Sequence, residues 1–89
     1  MPEQERKEKA LKLYQRLQNL MLTLHARWQN EKKHENIIDY GVNIEKYVSE
    51  IGGEFVEMNK RPFGFTYKLA DATYQVMVRA GNYEYKRIA

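Results

Sequence analysis

The stretch RPFGFTYKLADATYQVMVRAGNYEYKRIA, residues 61–89, decides the predicted fold of this chain. Its apolar residues recur at alternate positions, which is the period of a β-strand with one buried face. Segments 63–69, 73–80 and 83–88 are therefore predicted strands. Gly81 and Asn82 form a two-residue loop typical of a tight hairpin turn. We expect consecutive antiparallel strands here.

The predicted pairing of these strands places most of the aromatic rings on one face of a sheet. The loop at 81–82 pairs Ala80 with Tyr83, and the preceding loop, around Asp71-Ala72, pairs Leu69 with Tyr74. The residues predicted to face the core are Phe63, Phe65, Tyr67, Leu69, Tyr74, Val76, Val78, Tyr83 and Tyr85. Those predicted on the opposite, open face are Thr66, Lys68, Gln75, Met77, Arg79, Glu84, Lys86 and Ile88. Arg79 and Glu84 are expected to form a cross-strand pair.

A further strand is predicted just before this stretch, over residues 53–59. Its facing is ambiguous, because Phe55 and the pair Val56 and Met58 compete for the core side. The predicted sheet therefore has three or four strands.

The first half of the chain has helical periodicity. A long helix is predicted over 3–29, on a stripe made of Ala10, Leu13, Leu17, Leu20 and Leu24. A second helix is predicted over 37–50, and Gly52-Gly53 would end it. The fold prediction is thus α+β, with residues 1–89 in a single domain. An N-terminal antiparallel helical hairpin packs on a three- to four-stranded antiparallel β-meander over 53–89.

Composition narrows the class of protein. The 89 residues contain no cysteine and have 43% hydrophobic and 30% charged residues, as in soluble globular domains. No apolar run spans a bilayer and the first residues are charged, so a cytoplasmic location without membrane contact is expected. The net charge of +3 is unevenly distributed along the chain, because residues 36–58 are acidic and residues 59–89 are basic.

The sequence has no pattern typical of an active site. His34 lies beside Glu35 and near Asp39, but such polar residues at a connection between helices are usually solvated. Thiol chemistry is excluded, and Gly52-Gly53 lacks the lysine and helix of a phosphate-binding loop. We expect a non-enzymatic protein with no catalytic residue, metal or cofactor.

The remaining candidates are binding residues. The expected contact surface for an anionic partner is the basic sheet face with its rim, made of Lys60, Arg61, Lys68, Arg79, Lys86 and Arg87. A small interaction or regulatory protein, an inhibitor or adaptor that binds another protein, is the first interpretation. The alternative is a nucleic-acid-binding protein whose cations contact phosphates.

Two leucines suggest self-association through the long helix. Leu11 and Leu22 lie on the opposite side of the helix from the apolar stripe. They are either lone surface leucines, which are common, or part of a homodimer contact. Both interpretations stay open at this point.

Overall fold

The computed structural model describes residues 1–30 and 37–89. A long helix, α1, spans Glu3–Asn30. A 3-10 turn over Ile37–Tyr40 leads into a shorter helix, α2, over Gly41–Glu50. Four strands follow, and they are β1 (Glu54–Lys60), β2 (Phe63–Leu69), β3 (Ala72–Arg79) and β4 (Asn82–Arg87). The fold is mixed α+β, as the sequence predicts.

The strands form one sheet in the order β1-β2-β3-β4, and each neighbouring pair is antiparallel. This is the four-stranded meander, so the segment before the aromatic stretch does form a strand. The core lies between one face of this sheet and the helices. Residues predicted to face the core do so: Phe63, Phe65, Tyr67, Leu69, Tyr74, Val76 and Val78 are buried, and Tyr83 and Tyr85 pack against them.

The predicted register of the last hairpin is wrong by two residues. Val78, not Ala80, lies opposite Tyr83. The chain turns at Ala80-Gly81, where φ is 49° and 79°, in the left-handed region that such hairpin turns require. Because the side-chain period of a strand is two, this shift keeps every residue on its predicted face.

The register of the preceding hairpin differs from the prediction in the same way. Leu69 lies opposite Ala72 instead of Tyr74. The turn is formed by Ala70 and Asp71, and Ala70 has a φ of 55°. Both turns thus use an alanine at positive φ, where glycine, asparagine or aspartate is the usual residue.

A β-bulge in β1 resolves the ambiguous facing of that strand. The pairing with β2 shifts between Phe55 and Glu57, so Val56 is the extra residue. Phe55 and Met58 can therefore both pack against the core. Helix α2 approaches them closely at Gly41, where a Cβ would lie 2.9 Å from the Phe55 ring.

The helices cover different parts of the sheet. Helix α1 packs on β2, β3 and β4, and α2 packs on β1. A charged contact links them, because Arg16 Nη1 lies 2.6 Å from Glu50 Oε2 and its guanidinium lies 4.6 Å from the Tyr47 ring centroid. The connection between the helices, with the expected cap Asn36, lies outside the described residues. The antiparallel hairpin stays a prediction.

Arg6 ties the first turns of α1 to the β2–β3 turn. Its side chain is 3% exposed, and Nη1 lies 3.5 Å from Asp71 Oδ1. Glu3 Oε1 lies 3.7 Å from Nη2 of the same guanidinium. A buried guanidinium needs such partners, since an isolated buried charge is costly.

Candidate functional site

The six cations predicted to form one contact surface are divided among three places in the structure. Lys68, Arg79 and Lys86 lie on the open face of the sheet. Lys60 and Arg61 lie at the end of the sheet where β1 turns into β2. Arg87 lies opposite Tyr74, which places it on the helix-covered face.

The open face is mixed in charge, not basic as expected. β1 contributes Glu54 opposite Lys68, and Glu57 opposite Thr66. Directly opposed residues share a face, so these carboxylates join Glu84 among the cations there. The sequence prediction missed them because the facing of β1 was ambiguous. A continuous basic sheet surface is therefore absent from the described part of the chain.

Arg79 and Glu84 do not oppose each other as predicted. The register places Arg79 opposite Asn82 and Glu84 opposite Met77. The guanidinium of Arg79 instead folds back along the open face, with Nη2 3.7 Å from Met77 Sδ. Arg79 thus helps to cover Met77, which is buried although it points away from the main core.

A cleft at one end of the molecule is lined by three of the predicted cations, of which Lys60 and Arg61 lie in the β1–β2 loop region and Arg79 has its guanidinium turned toward Met77 on the open face. This basic cleft lies where the last turns of α1 meet the β1–β2 loop and the β3–β4 turn. Its volume is about 530 Å³. It is lined by His25, Trp28, Gln29, Lys60, Arg61, Pro62, Phe63, Val78, Arg79 and Ala80. None of these lining residues carries a carboxylate.

The position of the basic cleft follows from the packing around Phe63. Lys60, Phe63 and Val78 lie opposite one another on three adjacent strands, so they form a row across the end of the sheet. The Phe63 ring packs against His25, at 5.5 Å between centroids, and against Trp28, at 6.3 Å. The aromatic contacts therefore fix the end of α1 beside the cationic loop.

His25 and Trp28 are two residues of this cleft that the sequence prediction did not assign to a site. Trp28 is on the shoulder of the predicted apolar stripe, and His25 lies off it. Their spacing of three places them on one helix face, which is the signal that points to a common contact. Nothing in the sequence places that face beside Lys60.

The two leucines predicted for self-association differ in environment. Leu11 is 41% exposed. It lines a groove between α1 and the sheet together with Tyr74, Tyr85 and Arg87. Leu22 is half-buried and packs against the core.

The described residues do not form a cluster of metal-ligating side chains. No group of three or more metal-ligating side chains occurs in 1–30 and 37–89. Asp39 is exposed, and its predicted neighbours His34 and Glu35 lie outside the described residues. Within the same ranges, neither helix has the length and apolarity to cross a membrane.

Comparison with known proteins gives no family assignment. No protein-family model, curated protein or solved structure matches this chain. The chemistry of the basic cleft is therefore the basis for a functional proposal.

Proposed function

We propose that this chain is a non-enzymatic binding protein that recognises an acidic segment of a partner protein through the basic cleft. One observation carries this proposal: Lys60, Arg61 and Arg79 line a cleft together with aromatic rings, and none of the described residues that line it carries a carboxylate. Such a surface favours carboxylate side chains flanked by apolar groups.

The distribution of charge favours a protein over a nucleic acid. A nucleic-acid surface needs cations that follow a phosphate backbone over some distance. Here the cations of the sheet alternate with Glu54, Glu57 and Glu84, whereas the described residues that line the cleft carry no carboxylate. A short acidic segment fits that confined surface better than a strand of phosphates.

Four residues of the cleft would contact the acidic segment. The planar guanidinium of Arg61 can hold a carboxylate through two parallel hydrogen bonds. Lys60 adds a mobile point charge. The rings of Trp28 and Phe63 provide an apolar wall for the side chain next to the carboxylate. A small protein that covers a partner's acidic segment in this way would act as an inhibitor or adaptor.

Fluorescence tests the proposal directly, because Trp28 is the single tryptophan of the chain and lies in the cleft. We expect a synthetic peptide of alternating glutamate and leucine to change Trp28 emission in a saturable way. Binding should weaken as salt rises, because exposed charges are screened. The variant Lys60→Glu/Arg61→Glu should bind at least about tenfold more weakly, since two attractive charges become repulsive.

The matched control is Lys12→Glu/Lys46→Glu, which makes the same change in net charge at exposed positions outside the cleft. It should bind within about twofold of the unchanged protein. Equal losses in the two variants would show that only net charge matters, and the cleft would then not be a site.

A nucleic-acid partner is the second candidate, and the rings of His25 and Trp28 beside cations are what favour it. Aromatic side chains next to cations can stack on bases of single strands. The same titration with a single-stranded oligonucleotide separates the two. If the oligonucleotide binds more tightly than the peptide at equal salt, and Lys60→Glu/Arg61→Glu abolishes that binding, the nucleic-acid function replaces the protein one.

A further inference from the structure

The two edges of the sheet differ in their capacity to accept another strand. β1 and β4 are the edge strands. β1 is interrupted by its bulge at Val56, a feature that twists an edge away from pairing. β4 pairs with β3 without a break from Asn82 to Arg87. The outer side of β4 is therefore the regular edge.

The hydrogen-bond pattern shows which backbone groups of β4 point outward. Ile88 N–H donates to the Thr73 carbonyl at 2.8 Å, and Thr73 N–H donates one residue further on, to the Ala89 carbonyl at 2.9 Å. Thr73 and Ile88 therefore occupy the position of a hydrogen-bonded pair at the end of the β3–β4 ladder, where the chain bulges. Such pairs recur at every second residue of an antiparallel ladder. The backbone N–H and C=O groups of the residues between them, Tyr83, Tyr85 and Arg87, therefore point away from β3.

We propose that the partner for this edge is β4 of a second copy of this chain, paired antiparallel about a two-fold axis at Tyr85. The two Tyr85 residues then exchange backbone hydrogen bonds on the axis. Glu84 lies opposite Lys86 of the second copy, and this pair occurs twice. Tyr83 lies opposite Arg87 of the second copy, which allows a cation–π contact. All four side chains have a partner of suitable charge or chemistry.

Charge complementarity selects this register over its neighbours. The two strands can form hydrogen bonds when the axis passes through any residue of β4, but an axis at Glu84 or at Lys86 would place two glutamates or two lysines opposite each other. An axis at Tyr83 would place Glu84 opposite Asn82, and an axis at Arg87 would place Lys86 opposite Ile88. Of the three outward residues, Tyr85 alone brings opposite charges together.

The exposed leucine of α1 lies beside the same edge. Leu11 is 41% exposed and lines a groove with Tyr85 and Arg87. A second copy joined at β4 would carry its own α1 on the same side of the continuous sheet, because a two-fold axis normal to the sheet preserves the faces. Leu11 would then be covered near the axis, which gives the predicted self-association a defined place.

The contact of Tyr14 with this edge is compatible with pairing. The Tyr14 hydroxyl donates to the Tyr83 carbonyl at 2.6 Å. A carbonyl oxygen has two lone pairs, so one remains for Arg87 N–H of the second copy. The two backbone hydrogen bonds between the Tyr85 residues at the axis involve neither the Tyr14 hydroxyl nor the Tyr83 carbonyl.

Charge exchange across the axis provides the test. Sedimentation of the full chain at several concentrations should show a monomer–dimer equilibrium. Glu84→Lys would place lysine opposite lysine in both 84–86 pairs across the axis, and Lys86→Glu would place glutamate opposite glutamate. Because like charges repel, each single variant should dimerise about tenfold more weakly. The double variant Glu84→Lys/Lys86→Glu restores opposite charges and should dimerise like the unchanged chain. An equimolar mixture of the two single variants should form a heterodimer.

Two further measurements keep the test specific. Glu54→Lys makes a change of the same kind on the same face of the sheet, but at the bulged edge, and it should leave dimerisation unchanged. Circular dichroism should verify that each variant is folded. Amide exchange at Tyr85 should slow as protein concentration rises. A monomer at all concentrations, or a dimer that Glu84→Lys and Lys86→Glu do not weaken, would overturn the proposal. Glu84 and Lys86 do not line the basic cleft, so this result is independent of the proposed function.

Discussion

Tyr14 and Tyr83 hold each other through reciprocal hydrogen bonds. The hydroxyl of each donates to the backbone carbonyl of the other, at 2.6 Å in both directions. Their rings stack at 4.3 Å between centroids with 6° between the planes. The Tyr85 ring lies 4.5 Å from Tyr14 as well. This pair fastens the edge strand β4 to the middle of α1.

We expect Tyr14→Phe and Tyr83→Phe each to lower the free energy of unfolding by about 1 kcal/mol, because each removes one hydrogen bond and keeps the ring. Chemical denaturation measures this. The double variant should lose less than the sum of the two single losses, since the two bonds support one ring geometry.

Tyr47→Phe is the matched control for that cycle. The Tyr47 ring is half-buried under Arg16, and its hydroxyl makes no hydrogen bond within the described ranges. The free energy of unfolding of Tyr47→Phe should stay within about 0.5 kcal/mol of that of the unchanged chain. Strict additivity of Tyr14→Phe and Tyr83→Phe would contradict the reciprocal arrangement.

Tyr67 should respond to the same substitution with the opposite sign. Its side chain is fully buried, and its hydroxyl has no hydrogen-bond partner in the part of the chain that the structure describes. Replacing a buried, unpaired hydroxyl with hydrogen removes a desolvation cost. Tyr67→Phe should leave the free energy of unfolding unchanged or raise it by up to about 1 kcal/mol. A clear loss of stability would reveal a partner for the hydroxyl.

Alkaline pH should destabilise the fold through the same residue. Burial, with smaller contributions from Tyr74 and Tyr85, raises the pKa of Tyr67 above its ordinary value. The unfolded chain therefore releases this proton near pH 10, whereas the folded chain retains it. The contribution of Tyr67 to the free energy of unfolding is intact below about pH 10. It falls as pH rises above that value, by up to about 1.4 kcal/mol per pH unit. Urea titrations at increasing pH should show a smaller fall for Tyr67→Phe.

Gly64 should tolerate no side chain. A Cβ at this buried position in β2 would lie 1.9 Å from the Val76 carbonyl oxygen and 2.8 Å from Met77 Cα. Both obstacles are backbone atoms, so β3 itself would have to move. We expect Gly64→Ala to cost about 3 kcal/mol or more in free energy of unfolding, measured by chemical denaturation.

Gly81→Ala is the comparison that separates the cost of a steric clash from the cost of a strained backbone conformation. Gly81 has a φ of 79°, but no atom lies within 4 Å of the position that a Cβ would take, so its substitution meets strain without a clash. The cost should be about 1 kcal/mol. If Gly64→Ala were no worse than Gly81→Ala, the close approach of β2 and β3 would be disproved.

The facing of the strands could be predicted from the sequence, but their register could not. Alternation identifies which residues share a face, and a slip of two residues leaves that pattern unchanged. The register depends on the turns, and these lie at Ala70 and Ala80, where positive φ gives no sequence signal. The bulge at Val56 was equally invisible, because it breaks the alternation on which strand prediction relies.

The candidate site was predictable only in part. Lys60, Arg61 and Arg79 belong to the predicted contact surface, because their charge and position in the β region were evident. Their separation from Lys68 and Lys86 was not evident, since it depends on the facing of β1. The contribution of Trp28 depends on where the end of a long helix meets a strand 35 residues later, at Phe63. That contact is tertiary and leaves no local pattern.

The bulge at Val56 has a consequence for the size of any assembly built on this sheet. A protein with two regular edges can add copies without limit and grow into a filament, whereas one with a single regular edge stops after one addition. If two molecules pair through β4, the only regular edge of each is occupied, because β1 is irregular. Repairing the irregularity by deleting Val56 would remove that termination and expose the chain to open-ended polymerisation.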